Sequence, residues 1–326
     1  MTETVTFQLN WEPNGFQAPY FLAREEGFYA DEGLDVEFVE GHGSPFAAEQ
    51  TAKGRSDLGL SGGSAVLSVR SQGLEPLAVA AVSQKTPATI YTLRDAFGEE
   101  FTEPEQLRGR HVGPSATKTR ILTLQLLEDR GIRDEVEVDD VQKHTHHRVE
   151  HQLLDGDIDA AVGVVTNGKE LEREYDRTAD ELLIGDYLDV YGMTVVTNPE
   201  FAAENPETVR SFLRATARGW ELATNDPDRA VDALIARNAQ LEHNREVEHM
   251  KFLASAEDLQ FTEFVREAGW GHFDDRRWEN LGEMLAETDL LESPVDPAEA
   301  WTNEYVDDTD PTIANYAERI GRYSSD

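Results

Sequence analysis

The stretch LNWEPNGFQAPYFLAREEGFYADEGLDVEF, residues 9–38, decides the fold because it contains a strand end, a turn, a helix and a second strand. Pro13 and Gly15 break the chain after the first strand, and Gly27 ends the helix that is predicted over 16–30. The alternating apolar and polar residues of LDVEFVE then predict a half-buried strand. The same β–α order recurs downstream, so the sequence predicts an α/β protein with mixed, mostly parallel sheets and helices on both faces.

The length and composition indicate a globular protein with two lobes. The chain has 326 residues, of which 39% are hydrophobic. No apolar run approaches the roughly 18 residues that a membrane span needs. The opening MTETVTFQLNW has neither a basic start nor an apolar core, so we read no export signal in it. Two expectations follow: a cytoplasmic protein, or a protein whose leader is absent from this sequence.

The charge is strongly acidic and is dispersed along the chain. Acidic residues number 65 and basic residues 29, which gives a formal net charge of −36. This balance argues against a nucleic-acid partner, which requires basic patches. Dispersed acidity is typical of halophilic proteins, because concentrated salt screens the self-repulsion. There is no cysteine, which excludes disulfides, thiolate metal sites and cysteine nucleophiles.

Two similar segments of the sequence indicate an internal duplication as one interpretation. The segments 52–66 (AKGRSDLGLSGGSAV) and 153–171 (LLDGDIDAAVGVVTNGKEL) both place a Gly, an Asp, a short apolar strand and a polar turn after a helix. One interpretation is that all βα units look alike. The other is that two related lobes direct strand ends and helix N-termini towards a shared crevice.

A polar and aromatic cluster ends the opening strand. Its members are Asn10, Trp11, Asn14, Phe16 and Gln17. A buried Trp and an Asn-Gly turn would explain the cluster structurally. A flat ligand would instead stack on the indole while the amides bond its edge.

Three Gly- and Ser-containing turns each precede a predicted helix: GHGSPF (41–46), SGGSAV (61–66) and GPSATKTR (113–120). Glycine lets the backbone approach a ligand, and a helix N-terminus offers free N–H groups. The first two turns match no nucleotide-binding fingerprint. The candidate ligand contacts from the three turns are Ser44, Ser61, Gly62, Ser64, Ser115 and Thr117. Helix capping explains Ser115 equally well.

The segment KHTHHRVEH (143–151) contains His144, His146, His147 and His151. His147 and His151 are four residues apart, so one helix face can hold a metal ion. The alternative is an exposed His-rich helix start. We favour a third interpretation, in which His144 or His146 forms a hydrogen bond at a ligand cleft, and we expect neither a metal site nor a cofactor. The chain offers no convincing set of a nucleophile with a base partner, so we expect no nucleophilic catalysis.

Several motifs resemble one family. Residues 9–38, SDLGLSGGSAVLSVRSQGLEPLAVAAVSQ (56–84), DGDIDAAVG (155–163) and WTNEYV (301–306) are similar to periplasmic-type binding proteins related to thiamine pyrimidine synthase. This resemblance covers nearly the whole chain. It implies a type II periplasmic-binding-protein-like fold of two α/β lobes with a ligand cleft between them. The lobes would comprise 1–88 with 194–326, and 89–193.

The family that this chain resembles contains receptors and enzymes. The receptors deliver pyrimidine precursors or riboflavin to ABC transporters, and sulfonate, taurine and nitrate receptors share the fold. The synthases make the thiamine pyrimidine from pyridoxal phosphate and one of their own histidines. They carry a Lys and that His in the turn where this chain has Ser61–Ala65, and they use a cysteine-rich motif that this chain lacks.

The resemblance therefore implies a substrate-binding protein of an ABC transporter, with a permease as partner and a small heteroaromatic ligand such as a thiamine pyrimidine precursor. His144 and Tyr191 complete the candidate ligand contacts. We expect an extracytoplasmic, cell-surface location, with lipid-anchored membrane association if a leader is missing. Two alternatives stay open: a cytoplasmic enzyme or binding protein of thiamine pyrimidine biosynthesis, and a receptor for sulfonate-, taurine- or nitrate-type solutes.

Overall fold

The computed structural model describes residues 2–140, 149–288, 290–307 and 309–320. The chain divides into two compact units, of which the first comprises Met1–Lys85 with Val190–Asp326 and the second Thr86–Asp189. Among the described residues, no helix combines the length and the apolar character that crossing a membrane requires.

The first unit begins with alternating strands and helices and continues with helices. Its strands are β1 (Glu3–Gln8), β2 (Leu34–Val39), β3 (Leu58–Gly62), β4 (Leu77–Ala81) and β10 (Met193–Thr197). Its first helices are α1 (Ala18–Glu25), α2 (Phe28–Asp31), α3 (Ser44–Ala52) and α4 (Gly63–Ser71). After β10 come α9 (Pro199–Glu204), α10 (Pro206–Asn225), α11 (Pro227–Arg237), α12 (Arg245–Ala254), α13 (Glu263–Ala268), α14 (Asp275–Ala286), α15 (Pro311–Ala314) and α16 (Tyr316–Arg319).

The five strands of the first unit form one mixed sheet in the order β2-β1-β3-β10-β4. β1 is parallel to β2 and to β3, whereas β10 is antiparallel to β3 and to β4. Four strands therefore run in one direction, and the exception is the strand by which the chain returns to this unit. The carboxyl ends of β1–β4 and the amino end of β10 share one edge, where βα connections usually build binding sites.

Aromatic side chains dominate the core of this unit. The Phe7 ring lies 5.0 Å from Tyr20 and 4.9 Å from Phe212, measured between centroids. Trp220 is fully buried. The side chains of Asn198 and Asp226 cap α9 and α11 by accepting backbone N–H groups of the first helical turn.

The single helix predicted over 16–30 is divided in the structure. A 3-10 turn, Gly15–Gln17, precedes α1, and α2 follows after Gly27. Gly27 has φ 75°, a left-handed conformation that ends α1 and that residues with a Cβ rarely adopt. The break at Gly27 was expected, but the short helix beyond it was not.

The second unit has two small sheets. Its strands are β5 (Ala88–Leu93), β6 (His111–Val112), β7 (Glu137–Val138), β8 (Ala161–Val164) and β9 (Ala179–Leu183), and its helices are α5 (Arg94–Phe97), α6 (Thr117–Asp129), α7 (Val149–Asp155) and α8 (Asn167–Tyr175). β5 is antiparallel to both β8 and β9, while β6 and β7 are parallel. The strands β6 and β7 contain only two residues each. Pro114 lacks an N–H group and cannot extend β6.

The two similar segments, 52–66 and 153–171, have an equivalent local structure in each unit. In the first unit, the Asp57 carboxylate accepts hydrogen bonds from the backbone N–H and the hydroxyl of Thr6, both at 2.7 Å. In the second unit, the Asp159 carboxylate accepts the backbone N–H of His111 at 2.8 Å. Each Asp precedes a strand and accepts a backbone N–H from another strand, β1 or β6, so the repeated sequence has a repeated structural role.

Candidate functional site

The side-chain amides that follow β1 are linked to the turn and to one another by hydrogen bonds. The Asn14 side chain accepts from Phe16 N–H, and the backbone N–H of Asn14 donates to Gln17 Oε1 at 2.9 Å. Gln17 Nε2 then donates to Asn10 Oδ1 at 2.9 Å. Asn14 and the buried Gln17 therefore hold the turn together, while Asn10 Nδ2 has no hydrogen-bond partner among the described residues.

The helix α12, which is far from this turn in sequence, holds the turn in place. The backbone N–H of Gly15 donates to Glu248 Oε2 at 2.6 Å, and Glu248 on α12 is only 3% exposed. A Cβ on Gly15 would lie 1.9 Å from the Glu248 carbonyl oxygen, so no other residue fits in this place. Sequence reasoning missed Glu248, because nothing in the local pattern links positions 233 residues apart.

A second loop fixes the backbone on the other side. Gly43 N–H donates to the Asn10 carbonyl at 2.7 Å, and Gly41 N–H donates to the Trp11 carbonyl at 3.3 Å. A Cβ on Gly41 would approach the Leu9 carbonyl oxygen to 1.9 Å, so this glycine is required for the close approach. The GHG segment therefore positions the strand end, a role that the sequence did not reveal.

The Trp11 side chain is left in solvent although its backbone is fixed. It is 53% exposed, more than any other large hydrophobic side chain among the described residues. Trp220, Trp270 and Trp278 are by contrast fully buried. An exposed indole on an immobilised backbone is an uncommon arrangement in a folded protein, and it presents a flat apolar surface.

The serines of the next two turns lie at the same edge of the sheet. The Ser61 hydroxyl donates to the Ser44 carbonyl at 2.9 Å, and the Ser61 carbonyl accepts from Thr194 Oγ1 at 3.0 Å. Ser61 is therefore occupied within the protein. Ser44 starts α3, and the buried Ser64 follows Gly62, the N-cap of α4. The helices α3 and α4 thus both begin at this edge, where their N-terminal N–H groups favour electron-rich atoms.

Tyr191 belongs to the first unit and lies in an aromatic cluster. It is 1% exposed, and its ring packs 5.2 Å from Phe273 and 5.6 Å from Trp278. Its hydroxyl forms hydrogen bonds with the backbone of Asp274. In this structure Tyr191 therefore has no free surface for a ligand, and its contacts are those of a core residue.

The remaining candidates belong to the second unit. Ser115 is buried, and α6 begins at the exposed Thr117 with Ala116 as N-cap, so Ser115 is not the cap. Burial lowers the pKa of the Lys118 amine to about 8. His144 lies outside the described residues.

His151 is described and exposed, but its predicted metal partner His147 lies outside the described residues. His151 lines a cleft of about 70 Å³ together with Glu150, Glu170, Glu174 and Tyr175. Ligand pockets usually measure about 300–1,000 Å³. The cleft is therefore too small for a heteroaromatic solute.

Glu181 on β9 is a titratable group that the sequence did not single out. Burial raises the pKa of its carboxyl to about 7, against which Thr89 and Lys169 act weakly. Between pH 4.5 and pH 7 the folded protein therefore holds a proton that the unfolded chain has lost. Stability falls as the pH rises through this window.

We expect Glu181→Gln to remove this pH dependence and to stabilise the protein at about pH 8 by about 1–2 kcal/mol, because Gln carries no charge to desolvate. Denaturant unfolding at a series of pH values measures the effect. The matched control is Glu174→Gln, an exposed residue on α8, which should change stability by less than about 0.5 kcal/mol. Equal pH profiles for parent and Glu181→Gln would contradict the assignment.

One protein-family model matches a part of the chain that contains most of the candidate site. The family model described as "NMT1/THI5 like" matches residues 14–230, which include most of the candidate contacts. The chain belongs to the NMT1/THI5-like family. This membership confirms the resemblance that the motifs indicated.

Relatives of this NMT1/THI5-like protein include both enzymes and binding proteins. It is 25% identical to a 4-amino-5-hydroxymethyl-2-methylpyrimidine phosphate synthase, THI13, of Saccharomyces cerevisiae, over 95% of this chain and 90% of that one. It is 27% identical to the riboflavin-binding protein RibY of Chloroflexus aurantiacus, over 93% and 86%. It is 26% identical to the formylaminopyrimidine-binding protein of Halalkalibacterium halodurans, over 92% and 90%.

The fold is that of periplasmic binding proteins. The periplasmic aliphatic sulphonate binding protein SsuA of Escherichia coli superposes with a TM-score of 0.68 over 94% of this chain and 99% of that one, at 14% identity. The predicted α/β fold class with mixed sheets is therefore confirmed. The sheets are not mostly parallel as predicted, because four of the seven strand pairs among the described residues are antiparallel.

Proposed function

We propose that this protein is the substrate-binding protein of an ABC transporter and that it binds a small heteroaromatic solute such as a thiamine pyrimidine precursor. The observation that carries the proposal is the 53% exposed Trp11 indole on a backbone held by Gly41 and Gly43. Since the backbone is already fixed, little conformational entropy is lost when a flat ring stacks on the indole.

The groups around Trp11 suit the edge of a heteroaromatic ring. Asn10 Nδ2 is a donor without a partner among the described residues, and Asn10 directly precedes Trp11 in the chain. The starts of α3 and α4 add backbone N–H groups at the same sheet edge. Pyrimidines and flavins carry ring nitrogens and carbonyl oxygens that accept such hydrogen bonds. In the proposal Ser44 and Ser64 of the first unit remain candidate further contacts.

Two relatives support this class of ligand, since their names specify riboflavin and formylaminopyrimidine. A relative that is a pyrimidine phosphate synthase keeps the enzyme alternative open. Against the enzyme, the segment Ser61–Ala65, which ends β3 and starts α4, contains neither Lys nor His, and the chain has no cysteine. We therefore propose binding without catalysis.

Isothermal titration calorimetry with the full chain in concentrated salt tests the proposal. We expect saturable binding of riboflavin or of a hydroxymethyl- or formylaminopyrimidine with Kd on the order of 1 µM or below. Taurine serves as the non-aromatic comparison, and binding of taurine alone would replace the proposal with the sulfonate-type receptor. Formation of a pyrimidine phosphate on incubation with pyridoxal phosphate would instead establish the enzyme.

The proposed partner is the permease of the transporter, and the proposed location is the extracytoplasmic cell surface, with lipid-anchored association if a leader precedes the sequence. Cell fractionation of the native organism tests the location. Recovery of the protein in the cytosolic fraction alone would favour the cytoplasmic alternative.

A further inference from the structure

One histidine and two carboxylates meet on the parallel pair β6–β7 of the second unit. His111 lies directly opposite Glu137 in the register of this pair, and Asp139 follows two residues after Glu137. Residues two apart along extended backbone project from the same face, so topology alone brings the three side chains together. Each of the three residues has one potential metal-ligand atom, and these three atoms all lie within 4.8 Å of one another.

The His111 ring is oriented by both of its nitrogens. Nδ1 lies 3.2 Å from the carbonyl oxygen of Asp157, and Nε2 lies 2.9 Å from Asp139 Oδ1. When Nδ1–H donates to the carbonyl, Nε2 faces a carboxylate oxygen, so either a proton on Nε2 or a metal ion lies between these two atoms. Metal-binding histidines commonly donate their other N–H to a backbone carbonyl in this way.

The distance between Nε2 and Oδ1 suits a metal ion as well as a proton. Ligand atoms about 2.1 Å from an ion and at right angles to each other lie about 3 Å apart. The Arg120 guanidinium donates to the Asp139 backbone carbonyl at 2.8 Å and approaches Asp140 at 3.3 Å. The Arg120 guanidinium thus binds the backbone carbonyl of Asp139 and the side chain of Asp140, and it leaves the Asp139 carboxylate to the histidine.

From this geometry we propose that His111, Glu137 and Asp139 bind one divalent transition-metal ion of the Zn²⁺ or Mn²⁺ type. A mixed set of one imidazole and two carboxylates favours such an ion over Ca²⁺ or Mg²⁺, which take oxygen ligands. The three residues supply three ligands, and water completes the coordination. β6 and β7 pair over only two residues each, so the ion fastens a sheet that has few hydrogen bonds of its own.

The experiment is titration of the EDTA-treated full chain with Zn²⁺ and with Mn²⁺ in concentrated salt and excess Mg²⁺, which occupy the dispersed surface carboxylates. We expect one saturable site per chain and a higher melting temperature with the metal than without it. His111→Ala, Glu137→Gln and Asp139→Asn should each weaken binding by more than about tenfold, since even the loss of an outer-shell partner has effects of that size.

Two controls make the result specific. His249 also approaches a carboxylate, Asp228, at 3.7 Å, but belongs to no three-residue cluster among the described residues, so His249→Ala should retain the site. The triple variant His144→Ala, His146→Ala and His147→Ala should retain it too. Loss of binding in the triple variant together with retention in Glu137→Gln and Asp139→Asn would overturn the proposal, as would the absence of saturable binding. Glu137→Gln and Asp139→Asn preserve side-chain volume, so the test does not depend on His111→Ala folding.

Discussion

Gly15→Ala is expected to destabilise the protein by at least about 3 kcal/mol, which corresponds to a fall in melting temperature of about 6 °C or more. The new Cβ would lie 1.9 Å from the Glu248 carbonyl oxygen and 2.8 Å from its carbon. Both atoms belong to the backbone of a packed helix, so neither can move by a rotamer change. The turn must leave α12 and lose the hydrogen bond from Gly15 N–H to the Glu248 carboxylate.

The matched control is Gly73→Ala. At Gly73 a Cβ meets no heavy atom within 4 Å, but φ is +84°, so only the left-handed backbone conformation opposes the substitution, at about 1 kcal/mol. Thermal or denaturant unfolding of the two variants separates the close contact from the backbone effect. Equal losses of stability would show that the contact between Gly15 and Glu248 does not limit the fold.

Trp11→Ala is expected to weaken binding of the best heteroaromatic ligand by about 10- to 100-fold, because stacking on an aromatic side chain contributes about 1–3 kcal/mol per ring. Because the indole is 53% exposed, its removal should leave the melting temperature nearly unchanged. Calorimetry on parent and variant measures the affinity, and a thermal scan measures the stability.

Trp11→Phe provides the control for ring stacking. It keeps a smaller aromatic surface and should bind with intermediate affinity, whereas loss of a purely steric or backbone role would affect both variants alike. Unchanged affinity in Trp11→Ala would show that the ligand does not stack at the end of β1. In that case the proposed site would have to be abandoned, although membership of the family would stand.

Much of the fold could be predicted because its determinants are local. The helix caps Asn198 and Asp226 and the helix end at Gly27 follow from capping and left-handed backbone preferences over a few residues. The two-residue lengths of β6 and β7 could not be predicted in the same way. Their apolar alternation extends further, but strand length depends on which neighbouring segment is present to pair.

The candidate site shows the same division. The sequence placed Asn14 and Gln17 at the end of β1, since both lie within a few residues of the turn. It did not show that these amides bond to each other, that Asn10 keeps a donor, or that Glu248 holds Gly15. Such pairings depend on the geometry of several elements at once.

By itself the sequence determined the β–α order, the caps and turns, the acidic character and the family, because periodicity, capping and motif spacing act over short distances. Only the tertiary structure decided which aromatic side chains are buried. Trp11 and Trp220 are the same residue type, yet Trp11 is 53% exposed and Trp220 is fully buried. Burial is set by packing between segments that are far apart along the chain, and a linear pattern carries no record of that packing.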